Sequence, residues 1–232
     1  MPTLLSARSS ASPGDDNHRT RLRPSDMKIY LAGPEVFEPD AVGRGAALKA
    51  LCARFSSATA PVVGLFPLDN EISDDEAAAG ANLATAIRTA NMAMIRACDA
   101  IVANMTPFRG PSMDVGTAYE MGVGAALGKV VVGYTSDARS YARKVRDLYG
   151  DTVVRGPDGR LRDERGMAVE DFPGEAGLGL VDNLMMTAGG IEGLCGSAEE
   201  AIALAVEKTR SRRMEPSQGR DSGPVESTAH GS

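Results

Sequence analysis

The sequence predicts an α/β fold, a doubly wound parallel sheet with helices on both faces. Three observations carry that expectation: four short runs that are apolar throughout, helical patterns between them, and Pro/Gly-rich loops where the runs end. Strands that do not alternate apolar with polar residues belong to a sheet covered on both sides. The 232-residue chain, 43% hydrophobic and 24% charged, is long enough for one ordinary core.

Residues 1–26 and 209–232 are rich in Ser, Gly, Pro and Arg with almost no aliphatic content. Such composition does not offset the entropy of ordering, so both are expected to be disordered tails around a single domain at 27–208. Lys28 to Ala32 reads as a buried strand stopped by Gly33-Pro34. Residues 41–55 follow as a helix with Leu48, Leu51, Cys52 and Phe55 on one face, then a strand from Val62 to Phe66 closed by Pro67-Leu68-Asp69-Asn70. An acidic loop at 71–76 leads to a helix over 82–97 and a strand from Ala100 to Asn104. The Pro/Gly-rich loop 106–111 feeds a helix at about 115–127, and Lys129 to Tyr134 forms the fourth strand. Pro157-Asp158-Gly159, between Val153-Val154 and Leu161, marks a small hairpin within a 150–175 excursion. The last helix is expected at 197–208, with Ala201, Ile202, Leu204 and Ala205 apolar. The apolar run Leu180 to Met186 admits two readings, a fifth strand covering its own core or an exposed interface element.

Composition excludes several function classes. There is no run of about 18 apolar residues to cross a bilayer, and residues 1–26 lack the apolar segment of a secretory signal, so a soluble cytoplasmic protein is expected. Residues 27–208 carry 17 basic and 25 acidic residues, a net charge of −8, which argues against nucleic acid as a partner. Cys52, Cys98 and Cys195 are odd in number, widely spaced and without a CxxC pair, so they read as buried hydrophobes. His18 and His230 both fall in the tails, leaving the domain without a Ser-His-Asp triad, a Cys-His pair or a His-ligated metal. Neither a metal nor an organic cofactor is expected. Chemistry must come from carboxylates, amides and hydroxyls.

Ligands of open parallel sheets bind outside the carboxyl ends of the strands, which selects the loops 33–40, 67–76, 104–116 and 134–139. None carries a dinucleotide or Walker phosphate motif. Within 114–124, the helical neighbours of Glu120 at i±4 are Gly116 and Gly124, so this carboxylate stands in a saddle without bulky side chains. Either a ligand must approach it closely, or the glycines only let the helix pack on the sheet while Glu120 faces water. Asn91 interrupts the apolar stripe Leu83, Ile87, Met94, Ile95; it is either a satisfied core amide or part of a site. Asp114 is the natural N-cap of its helix, and Asp69-Asn70 has the composition of a turn.

Lys-Ile-Tyr-Leu-Ala-Gly-Pro at 28–34, Pro-Leu-Asp-Asn-Glu at 67–71, Asn91 ahead of Cys-Asp-Ala-Ile at 98–101, Pro-Phe-Arg-Gly at 107–110 and Asp-Val-Gly-Thr-Ala-Tyr-Glu-Met-Gly at 114–122 resemble the nucleoside 2-deoxyribosyltransferase family. The resemblance runs from Met27 to about Glu207 and is most specific at Asp114–Glu120. It implies a flavodoxin-like doubly wound fold and exchange of the base of a 2′-deoxynucleoside through a covalent deoxyribosyl-glutamate, with retention and no cofactor. It implies Glu120 as nucleophile, Tyr30 as the tyrosine that orients it, and Asp114 as the acid holding the sugar hydroxyls. Asp69, Asn70 and Glu71 fall where the base is contacted, and Asn91 where family members carry Asp or Asn to serve the base. Gly33, Pro34, Phe37, Phe108 and Arg109 join the substrate-binding set. Asn183 and Met185 lie in a segment resembling one that a neighbouring subunit inserts, which implies a homo-oligomer with shared sites. The partners so implied are deoxynucleosides and free nucleobases.

Two other readings remain: a hydrolase of deoxynucleoside 5′-monophosphates from the same superfamily, and a non-catalytic nucleoside- or nucleotide-binding domain. The first needs a basic phosphate pocket, for which only Arg109 and Arg139 offer themselves.

Overall fold

The computed structural model describes residues 26–70, 82–174 and 179–214. The tail expectations at 1–25 and 215–232, and those on Glu71 and the acidic loop to 76, lie outside the described residues.

Five parallel strands form the sheet: β1 (Met27–Ala32), β2 (Val62–Leu65), β3 (Ala100–Asn104), β4 (Val130–Tyr134) and, after an antiparallel hairpin β5–β6 (Val154–Arg155, Leu161–Arg162), β7 (Leu194–Cys195). Their order is β2-β1-β3-β4-β7, that of a flavodoxin-like doubly wound sheet. In β1, Tyr30 sits between Leu65 and Ile101 of its neighbours. Successive residues point to opposite faces. Ile29 and Leu31 therefore join the core under helices α1 (Ala41–Arg54) and the C-terminal helix, whereas Tyr30 and Ala32 face α2 (Leu83–Ala97) and α3 (Val115–Ala126). The chain turns from one face to the other between β1 and β3, which opens the crevice at the strand ends where such folds bind ligands.

α1 buries Ala41, Gly45, Leu48 and Cys52, one stripe at helical spacing, and Asp40 caps its start. A Cβ at Gly45 would fall 2.4 Å from the Phe66 ring, so glycine sets how near this helix lies to the sheet.

The four expected strands and the hairpin are present. α4 (Tyr141–Tyr149) was not expected, although Ser140 caps it and Tyr141, Ala142 and Val145 lie inward. Of the two readings of the 180–186 run, the fifth strand is the one the structure does not bear out. That strand is Leu194–Cys195, and within the 180–186 run the chain instead forms the short helix α5 (Leu184–Thr187), capped by Asn183.

The C-terminal helix α6 (Ala198–Met214) extends beyond residue 208, so 209–214 are helical. Thr209 is buried, Arg210 donates to the Phe55 carbonyl, Arg212 pairs with Glu192, and Arg213 pairs with Asp99. The arginines that made this stretch read as tail bind it to the domain. Among the described residues no helix is long and apolar enough to cross a membrane.

Candidate active site

β1 carries Tyr30 with its ring fully buried on the α2/α3 face, and its hydroxyl donates to Glu120 Oε1 at 2.6 Å. Burial first, then the charge and hydrogen bond of Glu120, push the phenol far above its ordinary range, so it remains a donor. Glu120 is half-buried, and desolvation pushes its carboxyl up to about 7. The Tyr30 bond pulls against that shift, and the charge of Asp114 adds to it. A short bond to a protonated donor and a carboxyl that ionises near neutrality make a directed, weakly solvated nucleophile or base.

α3 is fixed at both ends. Asp114 caps it, its Oδ2 accepting from the Thr117 amide at 2.9 Å and the Thr117 hydroxyl at 3.0 Å, which leaves Oδ1 without a partner among the described residues. A Cβ at Gly124 would lie 2.3 Å from Ile101 Cδ1, whereas one at Gly116 would meet only the Asp114 carboxylate. Gly124 thus serves packing, as one of the two readings held, but Glu120 faces Tyr30 rather than water.

Asn70, after the 3₁₀ turn Pro67–Asp69, donates through Nδ2 to the Pro67 carbonyl at 2.9 Å and to Asn91 Oδ1 at 2.8 Å. A carbonyl only accepts, so the orientation of Asn70 is fixed, and that of Asn91 follows from it. The Asn91 Nδ2 group is left as a donor. Asp69 is committed within its turn, its Oδ2 accepting from the Phe66 amide at 2.9 Å and its Oδ1 from Lys49.

Gly33 and Pro34 lead into a 3₁₀ turn ending at Phe37. Phe37 stacks on Phe108, centroids 5.4 Å apart, and the Arg109 guanidinium lies 5.3 Å and 4.6 Å from the two ring centroids. Arg109 has φ of 56°, a left-handed backbone that a non-glycine residue adopts at a cost and that aims this side chain over the rings.

A sequence model of the nucleoside 2-deoxyribosyltransferases matches residues 29–185, a span that takes in Tyr30, Asn91, Asp114 and Glu120. The chain belongs to that family. Among its relatives, an uncharacterized protein of Schizosaccharomyces pombe is 32% identical over 198 residues, covering 79% of this chain and 89% of its own. A solved 2-deoxyribosyltransferase from Leishmania mexicana superposes with a TM-score of 0.54 at 35% identity, over 78% of this chain and 97% of that one.

In this member of the deoxyribosyltransferase family, Asn183 makes no hydrogen bond to the Tyr30–Glu120 pair among the described residues. Its amide donates to Glu170 Oε1 at 2.6 Å while its carbonyl oxygen caps Met185. Met185 itself is 77% exposed. Three acids escaped the sequence reading: Glu35, Glu170 and Asp182. Asp182 is 1% exposed and accepts from Ser112 Oγ and from the amides of Met113 and Asn183, joining the loop before Asp114 to the one carrying Asn183. Only Glu35 had a usable signal, an acid directly after a buried strand in a loop already selected as a ligand site.

Proposed function

We propose that this protein transfers the 2-deoxyribosyl group of a 2′-deoxynucleoside between nucleobases through a covalent intermediate on Glu120, with retention at C1′. The observation that carries this reading is the 2.6 Å Tyr30–Glu120 bond, which aims one carboxylate oxygen from a half-buried position in an otherwise acidic domain. The glycosidic bond breaks through an oxocarbenium-like transition state that a nearby carboxylate stabilises and then traps as an ester. The electron pair of the C1′–N bond leaves with the base. A second base then attacks C1′ on the face the first one left, gives up its ring N–H proton to solvent and releases Glu120 as the carboxylate, so two inversions give retention.

Asn91 serves the departing base as a hydrogen-bond donor. Since an amide does not give up a proton, the base collects its proton from solvent. Asp114 Oδ1 holds a sugar hydroxyl. Gly33 and Pro34 shape the approach to the sugar, Phe37, Phe108 and Arg109 wall the site, and Asn70 contacts the base, with Asp69 acting through the turn it closes. Glu71 is assigned to the base as well, on sequence grounds alone. Met185 and Asn183 complete the site of a neighbouring copy, for which the exposure of Met185 is the support. The hydrolase alternative finds little support in the arginines: Arg139 is paired with Asp137 and Asp147, and Arg109 is spread over two rings.

Incubation with deoxyinosine, with and without adenine, tests the proposal. Deoxyadenosine should appear only with adenine, and mass spectrometry should find a deoxyribosyl adduct on Glu120 when no acceptor is present. Transfer by Glu120→Ala above a thousandth of the wild-type rate overturns the assignment. For the shared site, inactive Glu120→Ala and inactive Asn183→Ala proteins should regain activity on subunit exchange; demonstrated exchange without activity refutes it.

A further inference from the structure

Glu35 has no part in the reaction as derived above, yet it is 2% exposed and makes no ion pair among the described residues. Its Oε1 accepts from Asn104 Nδ2 at 2.7 Å and from the Tyr134 hydroxyl at 2.7 Å. Asn104 is oriented in turn by its Oδ1, which accepts from the Thr106 amide at 2.9 Å. One carboxyl group thus joins three places: the turn after β1, the end of β3 and the end of β4. Oε2 folds back over Gly33, where a Cβ would stand 1.9 Å away, so the glycine is needed for the acid to lie there. Burying an acid against neutral donors costs more than filling the space with a hydrophobe. Stability alone therefore gives little reason for an acid here.

What the bonds do is mechanical. Two residues after Glu35 comes Phe37, and four residues after Asn104 comes Phe108; these two rings stack and carry Arg109. The Tyr30–Glu120 pair lies on the other face of the sheet. We propose that Glu35 is a positioning residue, a brace that holds the loop after β1 to the loop after β3 so that Phe37, Phe108 and Arg109 form one wall of the substrate site. The wall contacts substrate in the ground state and the transition state alike, whereas the nucleophile stands apart from the brace, so losing the brace weakens binding and spares the chemical step.

This inference rests on the deoxyribosyl-transfer reading only for its kinetic half, and two measurements keep the parts separate. In the first, hydrogen exchange is followed by mass spectrometry in wild type, Glu35→Ala, Glu35→Gln and Tyr134→Phe. Segments 33–38 and 105–113 should exchange at least fivefold faster in Glu35→Ala and Tyr134→Phe while the sheet amides of β1, β3 and β4 keep wild-type rates. In the second, steady-state base exchange should show KM for the deoxynucleoside raised at least tenfold in Glu35→Ala and at least threefold in Tyr134→Phe, with kcat within threefold of wild type. Glu35→Gln, which keeps the shape and an accepting oxygen, should fall between wild type and Glu35→Ala in both measurements. Should Glu35→Ala fail to fold, Tyr134→Phe, which empties almost no volume, decides. Loops that exchange at wild-type rates, or an unchanged KM, overturn the proposal. A wild-type protein that exchanges no base overturns the functional reading instead, and the exchange rates of the loops then judge the brace alone.

Discussion

Replacing Glu120 by Gln should make the protein more stable, and by an amount that depends on pH. Burial raises the Glu120 carboxyl from its ordinary 4.5 to about 7 against the pull of the Tyr30 hydrogen bond. A folded-state pKa above the unfolded one means that the folded protein prefers the proton. The stability this preference provides is complete below pH 4.5 and is lost as pH rises to 7. A displacement of that size corresponds to about 3 kcal/mol at pH 8, and to less than about 1 kcal/mol at pH 5. Gln has the same shape, its carbonyl oxygen can still accept from Tyr30, and it has no charge to desolvate. The variant should therefore gain about 1–3 kcal/mol at pH 8, equivalent to about 3–9 °C in the thermal midpoint of a domain this size. At pH 5 the two midpoints should nearly coincide. Thermal unfolding of both proteins from pH 5 to 8 gives the result directly, and midpoints that stay parallel across that range refute the reasoning.

The same carboxyl should set the acid limb of kcat/KM near pH 7, and Tyr30→Phe, by removing the bond that lowers its pKa, should move that limb up by about one pH unit; a pH–rate series shows it. Gly122 is exposed, and a Cβ placed there would have nothing within 4 Å, so Gly122→Ala should stabilise by about 0.5–1 kcal/mol, whereas Gly124→Ala, which drives a methyl into Ile101, should destabilise by about 1–3 kcal/mol in denaturant titration. Lys144 is 4% exposed, its ammonium has no hydrogen-bond partner among the described residues, and burial lowers its pKa despite the attraction of Asp182 and Asp137. Lys144→Met should therefore be neutral or stabilising by up to about 1 kcal/mol wherever the amine is protonated, with the gain fading as pH rises toward the ordinary lysine value of 10.5.

Much of this molecule is legible in its sequence because two signals are local. A strand buried on both faces is apolar throughout, and a loop bearing a ligand site concentrates Gly, Pro and Asp, so β1 to β4 and the neighbourhoods of Gly33, Asp69 and Asp114 could be read in order. The 2.6 Å pairing of Tyr30 with Glu120 joins residues 90 positions apart and became readable only through resemblance to a family. α4 has a signal, Ser140 ahead of inward residues at helical spacing, but the charges of Arg143, Arg146 and Asp147 on its solvent face mask it. β7 has two residues and no period to detect. The end of α6 has the composition of a tail because arginine is ordinarily solvated, whereas here the guanidinium groups reach back to Glu192, Asp99 and the Phe55 carbonyl. At Glu35 the loop is legible as a ligand site, but the role of its acid is not. An isolated acid in a loop reads as surface, and only the structure brings Asn104 and Tyr134 to it.

An acid held at about 7 must also be prevented from escaping. A glutamate on a mobile helix would swing outward, regain water and return to its ordinary pKa, so its perturbation depends on the rigidity of α3 as much as on its surroundings. That rigidity is built from ordinary parts. Asp114 spends one oxygen on two bonds at the first turn, Gly124 lets the helix approach Ile101 and Val131, and the Gly124 carbonyl accepts from the Lys129 amide at 2.9 Å, tying the helix to the turn into β4. The glycine that the sequence offered either as a packing device or as a sign of function is thereby both. It allows the close approach that shields the carboxylate from water, and pushing the helix away with a methyl at Gly124 should relieve that desolvation, the largest cause of the raised pKa, and so move the acid limb to lower pH as stability falls.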